Sequence, residues 1–217
     1  MRVAIAGGHG KIALHLEKLL ADAGHEAIAL IRNPEHGADV LVAGGIPAVV
    51  DLETTDADAL ATDLAGVDAV VFAAGAGPGS TAERKNTVDR DGAILLADAA
   101  VRAGIRRYVL ISAIATDDFD PDSDDVFQVY LRAKSEADAD VRGRDLDWTI
   151  VRPGGLTDDA PTGRVRLAES TGRGSIPRAD VAAIIASALV DGYGIRAQFE
   201  AVSGEESVKD ALAALRY

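Results

Sequence analysis

Residues 2–13 read RVAIAGGHGKIA, an apolar run followed by a glycine-rich turn and the start of a helical pattern. The apolar run 2–6 predicts a strand, and apolar residues at helical spacing over 11–23 predict a helix. Gly7 permits the tight exit from the strand, and Gly10 lets a ligand approach the backbone closely. The free N–H groups at the helix start, together with the helix dipole, favour an anion. We therefore expect this turn to hold the pyrophosphate of a dinucleotide.

The other residues of the turn are candidate contacts of the same ligand. Ala13 is small enough for the helix to pack near the strand, and Ile12 precedes it. His9 and Lys11 are placed to contact the phosphates, although solvated side chains are the alternative for both.

Strand-like and helix-like segments alternate along the rest of the chain. Predicted strands cover residues 2–6, 27–31, 48–50, 69–72, 108–111 and 148–151, with 199–202 as an edge strand. Predicted helices cover residues 11–23, 56–64, 89–103, 126–141, 180–190 and 208–215, and Asn33 before Pro34 predicts a further helix start. This alternation implies a mostly parallel, doubly wound sheet with helices on both faces, an α/β Rossmann fold. Because no linker interrupts it, we expect one domain over residues 1–217, with small substrate-side elements within 153–177 and 191–217.

Composition excludes several classes of protein. The chain has no cysteine, which removes disulfides, thiolate metal sites and a cysteine nucleophile. Its net charge of −13 argues against a nucleic-acid partner, which needs a basic surface. No apolar stretch approaches the roughly 20 residues of a membrane span, and the start does not resemble a signal peptide. We expect a cytoplasmic protein, without a membrane partner, that is a monomer or a small homo-oligomer.

The end of the second predicted strand bears on the choice between NAD and NADP. NAD sites often place an acidic residue there, roughly 20 residues past the turn, to bind the ribose 2′-hydroxyl. This chain has Arg32 followed by Asn33. A guanidinium suits a 2′-phosphate, so we expect NADP(H) rather than NAD(H). A surface arginine at a strand end is the alternative.

Several short segments, taken in order, resemble those of the atypical short-chain dehydrogenase/reductases, an NAD(P)-binding group close to the NmrA-like proteins and biliverdin reductase B. They are the turn with Gly7, Gly10 and Ala13, then Asp51 and Leu52, then Ala73, Ala74 and Gly75, then Arg152, Pro153, Gly154, Gly155 and Leu156, and finally residues 176–182, where Pro177 replaces the usual serine. The resemblance covers nearly the whole chain. It implies that residues 51–52 lie beside the adenine, that residues 73–75 pass the nucleotide, and that residues 153–156 lie along the nicotinamide end. From the residues alone, each segment is also compatible with an ordinary loop, turn or strand end.

Three residues form a candidate catalytic group. Tyr130 and Lys134 are four residues apart, so they lie on one face of a predicted helix. The ammonium favours the phenolate and is expected to lower the pKa of the tyrosine, so that it exchanges a proton near neutral pH. Lys134 is also placed to hold the nicotinamide ribose, and Ser112, at the end of the fifth strand, to hydrogen-bond a substrate carbonyl. A surface pair and a strand-end serine are the alternatives.

Asp89 stands at the predicted start of a helix. By the family resemblance it is the aspartate that replaces the usual asparagine, the fourth member of the catalytic group. An N-cap carboxylate is the alternative.

Two further features could suggest a metal, and we expect none. The acidic segment 117–125 lacks the glycine of a calcium loop and has Leu131 where the bidentate glutamate should be, so we interpret it as a solvated, mobile loop over the substrate crevice. The four histidines show no ligand spacing.

Three functional hypotheses follow. The first is an NADP(H)-dependent oxidoreductase that acts on a small carbonyl, quinone or similar substrate, with hydride chemistry supplied by the cofactor. The second is an NADP(H)-binding sensor that passes redox state to a protein partner without turnover. The third is an epimerase or dehydratase, which usually has a larger substrate domain than the residues after 151 provide.

Overall fold

The computed structural model describes residues 1–77 and 79–215. The strands of these residues are β1 (Arg2–Ala6), β2 (Glu26–Ile31), β3 (Ile46–Val49), β4 (Ala69–Phe72), β5 (Arg107–Ile111), β6 (Asp147–Pro153), β7 (Gly155–Thr157), β8 (Arg164–Ala168), β9 (Ser175–Pro177), β10 (Ala197–Ser203) and β11 (Glu206–Ser207). The helices are α1 (Lys11–Asp22), α2 (Gly37–Val42), α3 (Ala57–Asp63), α4 (Ala82–Arg84), α5 (Gly92–Arg102), α6 (Val126–Arg142), α7 (Arg178–Val190) and α8 (Val208–Ala214).

The main sheet is mostly parallel. Seven parallel strands run in the order β3-β2-β1-β4-β5-β6-β10, and β8 and then β11 add antiparallel strands beyond β10. Strands β7 and β9 form a separate parallel pair. The predicted Rossmann fold is confirmed. The prediction that residues 199–202 form an edge strand is wrong, because β10 lies between β6 and β8.

Apolar side chains cover both faces of the sheet. In β1, Val3 and Ile5 join the core on one face, and Ala4 and Ala6 join the core on the other. Helices α1, α7 and α8 contribute to the first core, and α3, α5 and α6 to the second. Burial on both faces explains why the parallel strands are continuous apolar runs rather than alternating ones.

The helix ends follow the capping residues. Asn33 caps a short 3₁₀ helix at Pro34–His36, and Asp56 caps α3 by accepting hydrogen bonds from two backbone N–H groups. The helix expected to begin at Asp89 begins earlier, because α4, a π-helical stretch at Lys85–Asp91 and α5 follow one another directly. Asp89 therefore does not cap a helix start.

The strand order reverses between β1 and β4. In open α/β sheets the ligand crevice lies at this point, beyond the carboxyl ends of the strands. The glycine-rich turn follows β1 and residues 73–77 follow β4, so both flank the crevice. Within the described residues, no helix has both the length and the hydropathy needed to span a bilayer.

Candidate active site

Different contacts explain the glycines at positions 7, 8 and 10 of the first turn. Gly7 has a φ of +79°, and a Cβ there would lie 2.5 Å from Ala74 Cα. A Cβ at Gly8 would lie 2.5 Å from Ala29 Cβ, a close approach that the sequence did not reveal. At Gly10 a Cβ would lie 3.1 Å from the Gly7 carbonyl oxygen, a tight contact with the backbone that favours glycine. The missing side chain also leaves room in the pocket that Gly10 lines.

A first pocket of about 420 Å³ runs along the carboxyl ends of β1, β2, β3 and β4. Its described lining is Gly7, Gly8, His9, Gly10, Leu30, Ile31, Arg32, Asn33, His36, Val50, Asp51, Leu52, Glu53, Ala73, Ala74, Gly75, Ala76, Arg84 and Val88. The structure thus brings together most residues predicted to bind the nucleotide. Ile12 lines the neighbouring pocket, and Lys11 lines neither.

An acidic side chain lies between two arginines at one end of this pocket. Glu53 Oε2 is 3.1 Å from Arg32 Nη1 and 2.6 Å from Arg84 Nη2. Thr87 Oγ1 also donates to this carboxylate, at 2.8 Å. The hydrogen bond from Arg84, followed by the other contacts, lowers the pKa of Glu53. Sequence reasoning found Arg32 and missed the other members of the cluster.

His9 and Lys11 have protein partners. His9 Nε2 lies 2.8 Å from Asp39 Oδ2, and the His9 ring stacks on His36 with 3.7 Å between centroids. Lys11 forms an ion pair with Asp158, whose other oxygen accepts from Arg178 Nη1 at 2.7 Å. The Lys11 ion pair therefore ties the glycine-rich turn to the segment after β7.

A second pocket of about 870 Å³ opens beside the first and shares Ala73, Ala74 and Gly75 with it. Its other described lining residues are Ile12, Gly77, Gly79, Ser80, Lys85, Asp89, Ile111, Ser112, Asp125, Val126, Phe127, Tyr130, Lys134, Leu156 and Arg178. All four predicted catalytic residues, Ser112, Tyr130, Lys134 and Asp89, are in this set. The shared segment makes the two pockets one continuous crevice.

Lys134 is a buried cation with fixed contacts. Its Nζ donates to the Ile111 carbonyl oxygen at 3.2 Å and lies 3.4 Å from Asp89 Oδ1. It is 6.0 Å from the centroid of the Tyr130 ring. Asp89 also accepts from the Ala76 backbone N–H at 3.1 Å, so it joins the helix to the segment after β4.

The pKa of Tyr130 is raised, not lowered. Burial is the largest cause, and the Lys134 charge opposes it without overcoming it, while Asp89 and Asp138 add to the rise. The expected lowering is therefore wrong in its net direction. Burial makes the Tyr130 phenol a weaker acid, and the Lys134 charge only partly offsets this effect.

Ser112 is held by an aspartate that the sequence analysis did not single out. Its Oγ donates to Asp138 Oδ2 at 2.9 Å, and both residues are buried. Arg152 also binds Asp138, at 2.8 Å, and reaches Asp117 at 2.6 Å. Asp138 lies four residues after Lys134, on the same face of α6 as the tyrosine and lysine, and this spacing was the available signal.

Most of the segment 153–156 lies away from the pockets. Pro153 and Gly154 are buried, and a Cβ at Gly154 would lie 2.5 Å from the Gly174 carbonyl oxygen. Gly155 donates its N–H to the same oxygen at 2.9 Å. Of this segment only Leu156 lines either of these two pockets, and none of the described residues in 191–215 lines them.

The acidic segment has structural contacts at both ends. Asp117 pairs with Arg152, and Asp125 caps α6 by accepting from two backbone N–H groups. Across residues 1–77 and 79–215, no group of three or more histidines and carboxylates is arranged to hold a metal ion.

A family model described as NAD(P)H-binding matches residues 7–192. The chain belongs to this NAD(P)H-binding family. The YhfK protein of Bacillus subtilis strain 168, named an uncharacterized sugar epimerase, is 32% identical over 213 residues, covering 98% of this chain and 99% of its own.

Solved structures of related proteins have the same fold. A candidate NAD-dependent epimerase/dehydratase from Bacillus halodurans has 36% identity and a TM-score of 0.90, covering 99% of this chain and 100% of its own. ChuY, an anaerobillin reductase from Escherichia coli O157:H7, has a TM-score of 0.78 over 95% of this chain and 99% of its own. Its 21% identity supports a likeness of fold alone.

The resemblance to the atypical short-chain dehydrogenase/reductases is confirmed, and a nicotinamide dinucleotide is the cofactor class. The residues present fit such a ligand, because Gly7, Gly8 and Gly10 line a crevice at the switch point of the sheet.

Proposed function

We propose that this NAD(P)H-binding protein is an NADP(H)-dependent oxidoreductase that reduces a carbonyl, quinone or similar group. One observation carries the proposal. The pocket that holds Tyr130 and Lys134 opens directly from the nucleotide crevice, and Ala73, Ala74 and Gly75 belong to both.

Two arginines support NADP(H) over NAD(H). Arg32 and Arg84 both line the nucleotide pocket, and their guanidiniums converge on Glu53. Guanidiniums suit the bidentate recognition of a phosphate. Because Glu53 is already neutralised by both arginines, it opposes a 2′-phosphate less than an unpaired carboxylate would.

In the proposed reaction the cofactor supplies the hydride and a residue of the second pocket supplies the proton. When bound, NADPH supplies a hydride, which the substrate carbon accepts as the C=O double bond becomes a single bond. Tyr130 donates the phenolic proton from Oη to the substrate oxygen, which completes the alcohol. Solvent then restores the phenolic proton.

Lys134 and Asp89 position this acid. Lys134 is buried on the face of α6 that also carries Tyr130, and its ion pair with Asp89 fixes the position of the ammonium. Ser112 lies in the wall of the same pocket, but its hydroxyl proton is donated to Asp138 and is therefore not available to the substrate oxygen.

The character of the second pocket distinguishes the three hypotheses. An open pocket beside the tyrosine favours turnover, whereas a sensor needs no substrate space there. Its walls carry Ile12, Ile111, Val126, Phe127 and Leu156. Such apolar walls suit an apolar carbonyl compound or quinone better than a sugar, and so favour the reductase over the epimerase suggested by the names of the relatives.

The test of this mechanism is to replace Tyr130, the proposed general acid. NADPH oxidation is measured with a panel of aromatic aldehydes and quinones for the parent, Tyr130→Phe and, as a matched control, Tyr193→Phe, which lies outside both pockets. Loss of a general acid lowers kcat by about 10²–10⁴-fold. We expect that loss in Tyr130→Phe with unchanged NADPH affinity, and parent activity in the control. Full activity of Tyr130→Phe contradicts the mechanism, and tight NADPH binding without turnover of any probe favours the sensor.

A further inference from the structure

Lys85 is an unbalanced cation in the second pocket. Within residues 1–77 and 79–215, no carboxylate lies within ion-pair distance of its ammonium. Its Nζ donates to the Gly77 carbonyl oxygen at 2.9 Å and lies 5.1 Å from the centroid of the Tyr130 ring. Lys85 is half-buried in a chain of net charge −13.

The other charges of the pocket already have partners. Lys134 lies against Asp89, and Arg178 against Asp158. Asp125 accepts hydrogen bonds from the first turn of α6, where the helix dipole favours a carboxylate. Of the three cations that line the pocket, Lys85 is therefore the one without a carboxylate partner among the described residues.

The rest of the pocket is built for an apolar body. Phe127 is 60% exposed, Val126 42% and Leu156 37%, and all three line the pocket. Large exposed apolar side chains grouped at a cavity are typical of a ligand site. They lie in the same pocket as the Lys85 ammonium.

We infer that the pocket binds an organic anion with an aromatic or branched apolar body, whose carboxylate or phosphate is held by Lys85 Nζ. The apolar side chains enclose the body of this molecule. This inference rests on the proposed function only in placing the reducible carbonyl of the anion next to Tyr130.

Binding without turnover tests the anion site directly. The probes are 4-(hydroxymethyl)benzoate, 4-(hydroxymethyl)phenyl phosphate and neutral benzyl alcohol, titrated calorimetrically into protein saturated with NADP⁺. We expect at least one anion to bind the parent, with an affinity about tenfold lower in Lys85→Gln, as for a lost charge-assisted contact. Lys85→Arg should restore most of the affinity. The matched control is Lys18→Gln on α1, whose lysine pairs with Asp22 on the surface.

Turnover separates the two proposals. The parent and Lys85→Gln are compared with 4-carboxybenzaldehyde and benzaldehyde as NADPH-dependent substrates, and the NADP⁺ affinity and melting temperature of each variant confirm folding. A loss of kcat/KM in Lys85→Gln that is confined to the carboxylate substrate supports the inference. Anion binding that depends on Lys85, without any turnover, leaves the anion site standing and removes the reductase. Equal binding of benzyl alcohol and the anions, absence of binding by both anions, or equal affinity in Lys85→Gln overturns the inference.

Discussion

Replacing Arg32 with alanine should remove part of the preference for NADPH over NADH. Its guanidinium and that of Arg84 lie on the same carboxylate, Glu53, at one end of the nucleotide pocket. A hydrogen bond to a charged group contributes about 1.5–3 kcal/mol. The Arg32 and Arg84 side chains are 57% and 36% exposed, so solvent screening favours the lower value for each.

About 1.5 kcal/mol corresponds to roughly a tenfold change in Kd. Arg32→Ala should therefore weaken NADPH binding about tenfold, and the double variant Arg32→Ala, Arg84→Ala about 100-fold, while NADH binding changes less than about twofold. Glu53→Gln should tighten NADPH binding, because a carboxylate beside the 2′-phosphate is removed. The measurement is fluorescence titration of both nucleotides at fixed ionic strength.

Arg102→Ala is the matched control, since this arginine is 47% exposed and pairs with Asp58, and it lines neither pocket. It should leave both affinities unchanged. Equal affinities of the parent for NADPH and NADH would refute the reasoning, and so would an unchanged ratio of the two in Arg32→Ala.

Three further predictions concern stability. Burial raises the pKa of Glu17 from 4.5 to about 8, so the folded protein holds a proton that the unfolded chain releases, and stability falls as pH rises through this range. The loss approaches roughly 5 kcal/mol above pH 8, and urea unfolding should show that Glu17→Gln lacks this pH dependence; a parallel decline in parent and variant would count against it. Gly7→Ala meets both a positive φ and a backbone clash at 2.5 Å, whereas Gly24→Ala has the same φ region with no atom within 4 Å. Thermal melting should therefore show a clearly larger loss for Gly7→Ala than the roughly 1–2 kcal/mol of left-handed strain alone, and equal losses would show that the close approach is unimportant. Asp138→Asn removes a carboxylate charge that faces the buried Arg152 and should lower the free energy of unfolding, measured by chemical denaturation, by about 3 kcal/mol. A loss below about 1 kcal/mol would mean that Asp117 alone balances the charge of Arg152.

The parts of the fold that depend on local sequence were predictable. The strand–turn–helix unit at residues 2–22 and the buried strand at Ala69–Phe72 follow from apolar periodicity and glycine positions. The place of β10 in the sheet was not predicted, because it depends on antiparallel pairing with β8, a distant segment. The sequence analysis did not assign β8 as a strand, although RVRLA alternates charged and apolar residues as a half-buried strand does.

The same distinction applies to the site. The residues of the glycine-rich turn and the Tyr130–Lys134 pair follow from short spacings within one element. The contact between Glu53 and Arg84 joins residues 31 positions apart in the chain, and only the folded sheet places the loop after β3 against α4. The sequence analysis missed Lys85 for the same reason. Only the folded chain shows that no carboxylate of the described residues lies close enough to pair with its ammonium.

Electron density for NADP⁺ in crystals of the complex would show directly whether the nucleotide reaches Tyr130. We expect the pyrophosphate at Gly10, the 2′-phosphate near Arg32 and Arg84, and the nicotinamide ring at the mouth of the pocket that holds Tyr130. A nucleotide bound with its nicotinamide turned away from Tyr130, or with a side chain of the protein filling the space between them, would contradict this expectation.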